Sequence, residues 1–280
     1  MKRKAEEIKS AVRERYAGLA REKSQSCCKP ETAVSSGCCC IGSCQPQTLA
    51  RRLYTGDELE ELPDGVADVS LGCGNPTAIA ELSEGETVLD LGSGGGLDCF
   101  LAARKVGEKG RVIGLDMTPE MVQLAGENAR KMGTGNVEFR LGEMEHMPVS
   151  DNSIDVIISN CVINLSSDKG AVFKEAYRVL KPGGRLCVSD KVLLGELPGE
   201  VKESLEQWAG CVAGALKEKI YLDKIRAAGF TKVAVDRSEV PFYVESETAQ
   251  PQNPVAGQTC LDLSNKVASV NVKAFKPGRA

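Results

Sequence analysis

The sequence predicts an α/β fold in which a mostly parallel sheet is flanked by helices. Strand and helix signals alternate through the middle of the chain, as they do where helices join parallel strands. A glycine-rich stretch, D-x-G-x-G-x-G at 90–96, falls where the first of these strands turns into a helix. Asp116 ends the next strand. Together these observations indicate a nucleotide site at the carboxyl ends of the strands.

The N-terminal segments precede this alternation and are predicted to form a helical arm over 1–66. An amphipathic helix is predicted at 3–21, because apolar residues recur there at helical spacing. The segment 24–47 is rich in Ser, Pro, Gly and Cys and has no periodicity, so it is predicted as a loop. A short helix ended by a proline is predicted at 48–62.

The central region, 67–195, is predicted as the nucleotide-binding domain. Each predicted strand is a short apolar run, and one helix starts with proline and ends before glycine, as helices prefer. The predicted strands are 87–92, 111–117, 137–143, 153–162 and 185–192, and the predicted helices are 97–107, 119–133 and 169–180.

The region 196–280 is predicted as a smaller α+β part. It combines two helical patterns with two strand-like patterns, the last of which alternates between apolar and polar residues. The predicted helices are 198–217 and 221–230, and the predicted strands are 232–244 and 267–277.

The composition of the chain argues against several classes of function. A net charge of −4 does not favour a nucleic-acid partner, and no apolar run is long enough to span a bilayer. No signal peptide is visible, so we expect a cytoplasmic protein, and we expect a monomer. In that compartment the 12 cysteines are better interpreted as thiols that bind or react than as a disulfide scaffold. The single histidine, His146, gives little support to a histidine metal site or a Ser-His-Asp triad and is predicted to be peripheral.

The glycine stretch is compatible with two ligands, a dinucleotide and S-adenosylmethionine. Glycine lets a ligand approach the backbone, and the N–H groups of the following helix suit a carboxylate or phosphate. The Asp116 carboxylate is placed to accept hydrogen bonds from ribose hydroxyls. The spacing favours S-adenosylmethionine, because glycine recurs at every second position and not as G-x-G-x-x-G, and because the motif begins with Asp90.

The segment LKPGG at 180–184, placed before a strand, resembles the class I S-adenosylmethionine-dependent methyltransferases. That resemblance implies a Rossmann-like sheet in which Met117, Glu143 and Met144 contact the adenine and Asn160 lies near the methyl group. Core packing is an equal alternative for the two methionines. The predicted donor-binding residues are Asp90, Gly92, Ser93, Gly94, Gly96, Asp116, Met117, Glu143, Met144 and Asn160.

Three cysteines stand in distinctive surroundings: Cys73 in SLGCGNP, Cys161 in SNCVINL and Cys211 in WAGCVAGAL. Thiolates prefer soft, thiophilic partners. Cys161 follows the fourth strand at the edge where ligands bind, and Cys211 is predicted to lie in a helix among small residues. Each alone could be a small buried apolar residue, which is the interpretation we prefer for Cys99 and Cys187.

These cysteine motifs, with VLDLGSGGGLDCF and GLDMTPEMV, closely resemble the arsenite S-adenosylmethionine methyltransferases, which act in arsenic detoxification. The resemblance implies that Cys73, Cys161 and Cys211 hold trivalent arsenic, in arsenite or methylarsenite. A fourth, upstream cysteine is also implied; Cys44 is the best match, with Cys39 and Cys40 as alternatives. Three sulfurs would leave the arsenic lone pair free to attack the sulfonium methyl group, without a general base.

Methylation oxidises arsenic formally, so the resemblance also implies a thiol reductant such as glutathione or thioredoxin. Cys73 or Cys44 would form a disulfide in returning arsenic to the trivalent state. The Cys27–Cys28 and 38–40 cysteines either deliver arsenic or belong to a disordered tail. Two other functions stay open: methylation of an organic small molecule, and thiol-based binding of a metalloid without turnover. The sequence leaves the final methylation state undecided.

Overall fold

The computed structural model describes residues 2–25, 53–60, 62–63, 66, 72–203, 211–238, 243–245 and 260–278. Its centre is a seven-stranded sheet. The described residues form nine strands, seven of which belong to this sheet. They are β1 (Thr87–Leu91), β2 (Arg111–Asp116), β3 (Val137–Leu141), β4 (Ile154–Asn160), β5 (Leu180–Leu193), β6 (Thr231–Ser238), β7 (Tyr243–Glu245), β8 (Cys260–Asp262) and β9 (Val267–Phe275). The sheet order is β3-β2-β1-β4-β5-β9-β6, and β7 pairs with β8 separately.

Helices cover this sheet and connect its strands. They are α1 (Lys2–Gln25), α2 (Gly56–Glu60), α3 (Pro76–Ile79), α4 (Leu97–Val106), α5 (Pro119–Met132), α6 (Lys169–Val179), α7 (Gly199–Glu203) and α8 (Glu218–Ala227), with a 3₁₀ turn at Ile163–Leu165. The strands from β3 to β5 pair in parallel, whereas β9 runs antiparallel to β5 and β6. The predicted fold class, a mostly parallel sheet flanked by helices, is confirmed.

The turn from β1 into α4 explains why the chain uses glycine there. Gly92 and Gly96 both adopt positive φ, +69° and +96°. A Cβ on Gly92 would lie 2.3 Å from the Val162 side chain, and one on Gly96 would lie 2.7 Å from the Phe100 ring. Another residue would therefore be strained and would also clash. This close packing sets α4 directly against the carboxyl edge of the sheet.

The C-terminal region completes the central sheet. All nine residues of β9 pair with β5, and β6 follows on the outer side of β9. The predicted strand 232–244 corresponds to β6 and β7, with 239–242 outside the described residues. The division into 1–66, 67–195 and 196–280 stays a prediction.

The helix predicted at 198–217 is wrong at its C-terminal part. Helix α7 ends at Glu203, residues 204–210 are outside the described part, and 211–214 form a turn. Cys211 adopts a φ of +64°, a left-handed conformation that a helix interior does not contain. The sequence around Trp208 and Cys211 favoured a helix, but in this turn the Cys211 thiol donates to the Cys161 carbonyl oxygen, far away in the sequence.

Helix α1 lies across the carboxyl edge of the sheet. Its buried residues Ile8 and Val12 pack against Cys161, Leu165 and Cys211. Ion pairs join α1 to its neighbours: Lys9 and Arg13 pair with Glu143, in the loop after β3, at 2.7 and 2.8 Å, and Arg21 pairs with Glu120 of α5 at 3.2 Å. Among the described residues, no helix is long and apolar enough to cross a membrane.

Candidate functional site

A cavity opens at the carboxyl ends of β1, β2 and β4, between the glycine loop and α1. Helix α1 contributes Lys9, Val12 and Tyr16 to its wall. The predicted donor-binding residues on the wall are Asp90, Gly92, Ser93, Gly94, Asp116, Met117, Met144 and Asn160. Their role in donor binding stays a prediction, and the sequence did not indicate that the N-terminal helix would cover the cavity.

The Asp116 carboxylate is fixed by backbone groups on both sides. Its oxygens accept hydrogen bonds from the N–H groups of Gly94, at 3.0 Å, and Thr118, at 2.9 Å. Burial nevertheless raises the pKa of Asp116. Beside it, the buried Ser93 hydroxyl has no partner among the described residues, and a Cβ on Gly94 would meet only open space. A fixed carboxylate, an unpaired hydroxyl and an open backbone fit the hydroxyl and amino-acid groups of S-adenosylmethionine.

Two further carboxylates face the cavity from its floor. Asp90 is buried and accepts a weak hydrogen bond from the Cys99 thiol at 3.3 Å; burial and the charge of Asp98 raise its pKa well above the usual range. Burial also raises the pKa of Asp98 to about 6, against the effect of hydrogen bonds from Tyr54 and Asn160. These acids make the floor suitable for a cationic ligand.

Asn160 joins the donor cavity to the loop that carries Cys73. Its side-chain oxygen accepts from the Cys73 N–H at 2.9 Å, and its amide nitrogen donates to the Gly74 carbonyl at 2.8 Å and the Tyr54 hydroxyl at 2.9 Å. A Cβ on Gly72 would lie 2.3 Å from the same amide nitrogen, so glycine is required for this close approach. Asn160 thus holds the Cys73 loop against the end of β4.

Two predicted donor residues are placed differently. Glu143 is not among the residues that line the cavity; its carboxylate pairs with Lys9 and Arg13 of α1, and its contact with the donor stays a prediction. The sequence shows that Lys9 and Arg13 are at helical spacing, i and i+4. It does not show that they contact Glu143, about 130 residues away. Gly96 is not on the wall either and precedes α4 as its N-cap. His146, predicted to be peripheral, is exposed.

The three distinctive cysteines converge beside this cavity. Cys161, on the cavity wall just after β4, is 2% exposed and has a φ of +60°. The Cys211 thiol donates to the Cys161 carbonyl oxygen at 2.6 Å, and the Cys73 thiol donates weakly to the Ser189 carbonyl at 3.6 Å. The Cys73 and Cys161 sulfurs and a carboxylate oxygen of Asp190 lie within 4.8 Å of one another. We call Cys73, Cys161 and Cys211 the thiol cluster.

Electrostatics sets the three thiols of the cluster apart. The neighbouring Cys211 and Cys73 thiols and the charge of Lys191 lower the pKa of Cys161 well below its usual range, against the effect of burial. Burial and the proximity of Cys161 raise the pKa of Cys73. The proximity of Cys161 and burial raise the pKa of Cys211. Cys161 is therefore the candidate nucleophile of the cluster.

A buried polar network lies against the thiol cluster, and the sequence analysis missed it. Asp190 is fully buried in β5, and burial together with Cys161 raises its pKa to about 8. Its oxygens accept from the Asn164 amide at 2.7 Å, the Lys191 N–H at 2.9 Å and the Tyr221 hydroxyl at 3.1 Å. The available signal was an acidic residue near the carboxyl end of a strand next to β4.

Of the remaining nine cysteines, Cys260 begins β8, and the other eight fall into two groups. Cys99 and Cys187 are fully buried in the core between α4 and the sheet, as predicted for small apolar residues. Cys44 and its alternatives Cys39 and Cys40 lie outside the described residues, as do Cys27, Cys28 and Cys38. The assignment of a fourth functional cysteine stays a prediction.

Known proteins resemble this chain in sequence and in fold. A family model described as a methyltransferase domain matches residues 82–229. An arsenite methyltransferase of Halobacterium salinarum is 43% identical over 99% of this chain and 68% of that protein. The arsenite methyltransferase of Aquipseudomonas alcaligenes is 38% identical over 71% of this chain, and the human one is 41% identical over 57%. The chain covers only 57% and 44% of those two relatives.

A solved structure agrees with this similarity. The crystal structure of an arsenic(III) S-adenosylmethionine methyltransferase from Chlamydomonas reinhardtii superimposes with a TM-score of 0.63 at 37% identity. The match covers 79% of this chain and 73% of that one.

Proposed function

The chain belongs to the arsenite methyltransferase family, and we propose that it transfers a methyl group from S-adenosylmethionine to trivalent arsenic bound by the thiol cluster. The position of Cys161 carries this proposal. Its side chain lines the donor cavity and also contacts the thiols of Cys73 and Cys211. A substrate held by these sulfurs would therefore face the donor directly.

S-Adenosylmethionine supplies an electrophilic methyl carbon on a positively charged sulfur. On the protein side, Asp116 is placed to accept hydrogen bonds from ribose hydroxyls, since Gly94 and Thr118 hold its carboxylate in position. Met117 and Met144 form apolar wall suited to the adenine. The acidic floor of Asp90 and Asp98 complements a cationic donor.

Arsenic binding exchanges hydroxyl groups of arsenite for protein sulfurs. The Cys161 thiolate attacks first, because its lowered pKa leaves it ionised near neutral pH; it displaces one hydroxide, which takes a proton from solvent and leaves as water. Cys73 and Cys211 then replace the other hydroxyl groups, and each thiol proton leaves with a hydroxide as water. The product has three As–S bonds, a pyramidal geometry and one lone pair on arsenic.

Methyl transfer is an in-line displacement in which the chain supplies alignment. The arsenic lone pair forms the As–C bond while the methyl–sulfur bond breaks and its electron pair stays on the donor sulfur. No proton is removed from the nucleophile, so the step needs no general base. Asn160 contributes by holding the Cys73 loop and the end of β4 in one arrangement.

Return to trivalent arsenic takes two electrons from two thiols, which become a disulfide. We propose glutathione or a thioredoxin as the external reductant, with Cys73 and Cys44 as candidates for the internal thiols. Turnover without a reductant should then stop after one cycle and leave a protein disulfide that peptide mapping detects.

The decisive experiment incubates the purified full-length protein with arsenite, S-adenosylmethionine and a thiol, followed by mass detection of methylated arsenic. We expect methylated product and donor consumption that both depend on arsenite. A parallel reaction without arsenite controls for spontaneous donor loss. Calorimetric binding of the donor without any arsenic product would contradict the proposed function.

A further inference from the structure

The thiol cluster and Asp190 contain a second set of ligand atoms that differs from the three sulfurs assigned to arsenic. We propose that Cys73, Cys161 and Asp190 bind a soft divalent cation such as Zn²⁺, in competition with arsenite. The competition rests on the proposed function, whereas the cation site rests on the geometry alone. Zinc is suited to such a mixed set of sulfur and oxygen ligands.

The distances suit a single small cation. The two sulfurs and the carboxylate oxygen lie within 4.8 Å of one another; Cys161 and Asp190 are buried, and Cys73 is half-buried. In a tetrahedral zinc site, with Zn–S near 2.3 Å and Zn–O near 2.0 Å, the ligand atoms are about 3.5–3.8 Å apart. Side-chain movements of about 1 Å or less would therefore close the site around an ion.

Each ligand is held by a different structural element. Cys161 follows β4, Asp190 lies within β5, and the Cys73 backbone is bound to the Asn160 side chain. The Cys211 thiol is directed to the Cys161 carbonyl oxygen at 2.6 Å and lies outside this three-atom group. A fourth position is thus left for water, as in zinc sites that have three protein ligands.

The Asp190 carboxylate has a free acceptor position in its present surroundings. One oxygen accepts two hydrogen bonds, from Asn164 and from the Lys191 N–H, whereas among the described residues the other accepts that of the Tyr221 hydroxyl alone. A carboxylate oxygen has two lone pairs, so one remains available for a cation. Asn164 and Tyr221 then orient the carboxylate as outer partners orient the ligands of a metal site.

Charge balance also favours a divalent ion. When an ion binds, Cys73 and Asp190 release their protons to solvent; two thiolates and the Asp190 carboxylate then carry three negative charges beside the one positive charge of the Lys191 ammonium. A divalent cation makes the buried group neutral, which limits the cost of burial. Arsenic differs, because three thiolates already neutralise it and the Asp190 carboxylate is not needed as a ligand.

Zinc at this position would block methylation. Zn²⁺ has no lone pair that can form a bond to the methyl carbon, so the bound ion cannot accept the methyl group. It also uses Cys73 and Cys161, which arsenic requires. Zinc should therefore inhibit competitively against arsenite but not against S-adenosylmethionine.

The test compares Asp190→Asn and Cys211→Ser in the full-length protein, with the six cysteines at 27–44 replaced by serine to remove other thiols. Zinc affinity is measured by competition with a chromophoric chelator under a phosphine reductant, and arsenite affinity by calorimetry. Asp190→Asn should weaken zinc binding at least about tenfold, since loss of even an outer partner of a metal ligand costs 10–100-fold. Asp190→Asn should leave arsenite affinity within about twofold. Cys211→Ser should instead weaken arsenite binding and leave zinc affinity nearly unchanged.

The outcomes separate this proposal from the proposed function. Zinc binding unaffected by Asp190→Asn, or equal losses of zinc and arsenite in that variant, would overturn the cation site. If the parent methylates arsenite but binds no zinc, the cation site fails while the proposed function stands. If Asp190→Asn no longer binds S-adenosylmethionine and has misfolded, Cys211→Ser decides: retained zinc affinity supports the site, and parallel loss of both ligands rejects it.

Discussion

The donor cavity and the thiol cluster lie side by side but are built in opposite ways. The donor cavity takes its main polar groups from the end of β1 through the start of α4 and from the end of β2, so its geometry is largely local. The thiol cluster gathers residues from positions 73, 161 and 211, with Asp190 against them. Donor binding should therefore tolerate damage to the cluster, and thiol chemistry should depend on the whole fold.

The largest expected effect tests whether the thiol cluster can be damaged without loss of donor binding in the cavity. Replacement of Cys161 by serine removes the sulfur shared by the donor wall and the cluster. We expect kcat/KM for arsenite methylation to fall at least about a hundredfold, the scale of a 1 Å misalignment, while donor affinity measured by calorimetry stays within about twofold. Cys187→Ala is the matched control, because it removes a buried thiol outside the cluster. An equal fall in kcat/KM in both variants would show that Cys161 has no specific role in arsenite methylation.

A pH profile sharpens the contrast inside the thiol cluster. Because the pKa of Cys161 is lowered, its thiolate persists as pH falls, and reactivity is lost only below that lowered value. At pH 6 an ordinary thiol with a pKa of about 8.5 is only roughly 0.3% ionised. Iodoacetamide with peptide mapping should therefore find Cys161 alkylated at pH 6 well ahead of Cys73, Cys211 and Cys187. Burial raises the pKa of Cys187 to about 12, so it serves as the unreactive reference. Parallel pH dependence at all four sites would contradict this order.

A change in the donor cavity should have the opposite result: donor affinity falls while arsenite affinity is kept. Asp116→Ala removes the carboxylate that Gly94 and Thr118 hold in position. Loss of a hydrogen bond to a charged group, about 1.5–3 kcal/mol, corresponds to roughly a 10–100-fold rise in the dissociation constant of the donor. Arsenite affinity, measured by calorimetry, should not change. A variant that lost both affinities would show that the two regions are not independent.

The smallest expected effect concerns α1, the element that covers both regions. Glu143→Gln removes the ion pairs to Lys9 and Arg13. Such partly exposed pairs contribute about 0.2–1 kcal/mol, so KM for the donor should rise by roughly two- to fivefold. Added salt should reduce the difference between the variant and the parent, because it screens the parent pairs. A difference that is independent of salt would exclude the ion pairs as its cause.

The sequence predicted the local features of the fold well. Alternating patterns identified the parallel core, and proline and glycine marked the ends of α5 correctly. The glycine loop and Asp116 were located because their spacing reflects one turn between adjacent strands. The helix predicted through Cys211 failed, since the Cys211 turn depends on a thiol contact with Cys161 that no local pattern records.

What the sequence determined by itself was the sheet, the donor loop and the presence of unusual cysteines, because these follow from residue types at short spacing. Only the tertiary structure decided that α1 roofs the cavity, that Glu143 binds α1, and that Asp190 adjoins the thiol cluster. These contacts join residues far apart in the chain, and their partners depend on how helices and strands pack. Side-chain pKa values depend on the same packing, so the sequence could not indicate that Cys161 is the thiol with the lowered pKa.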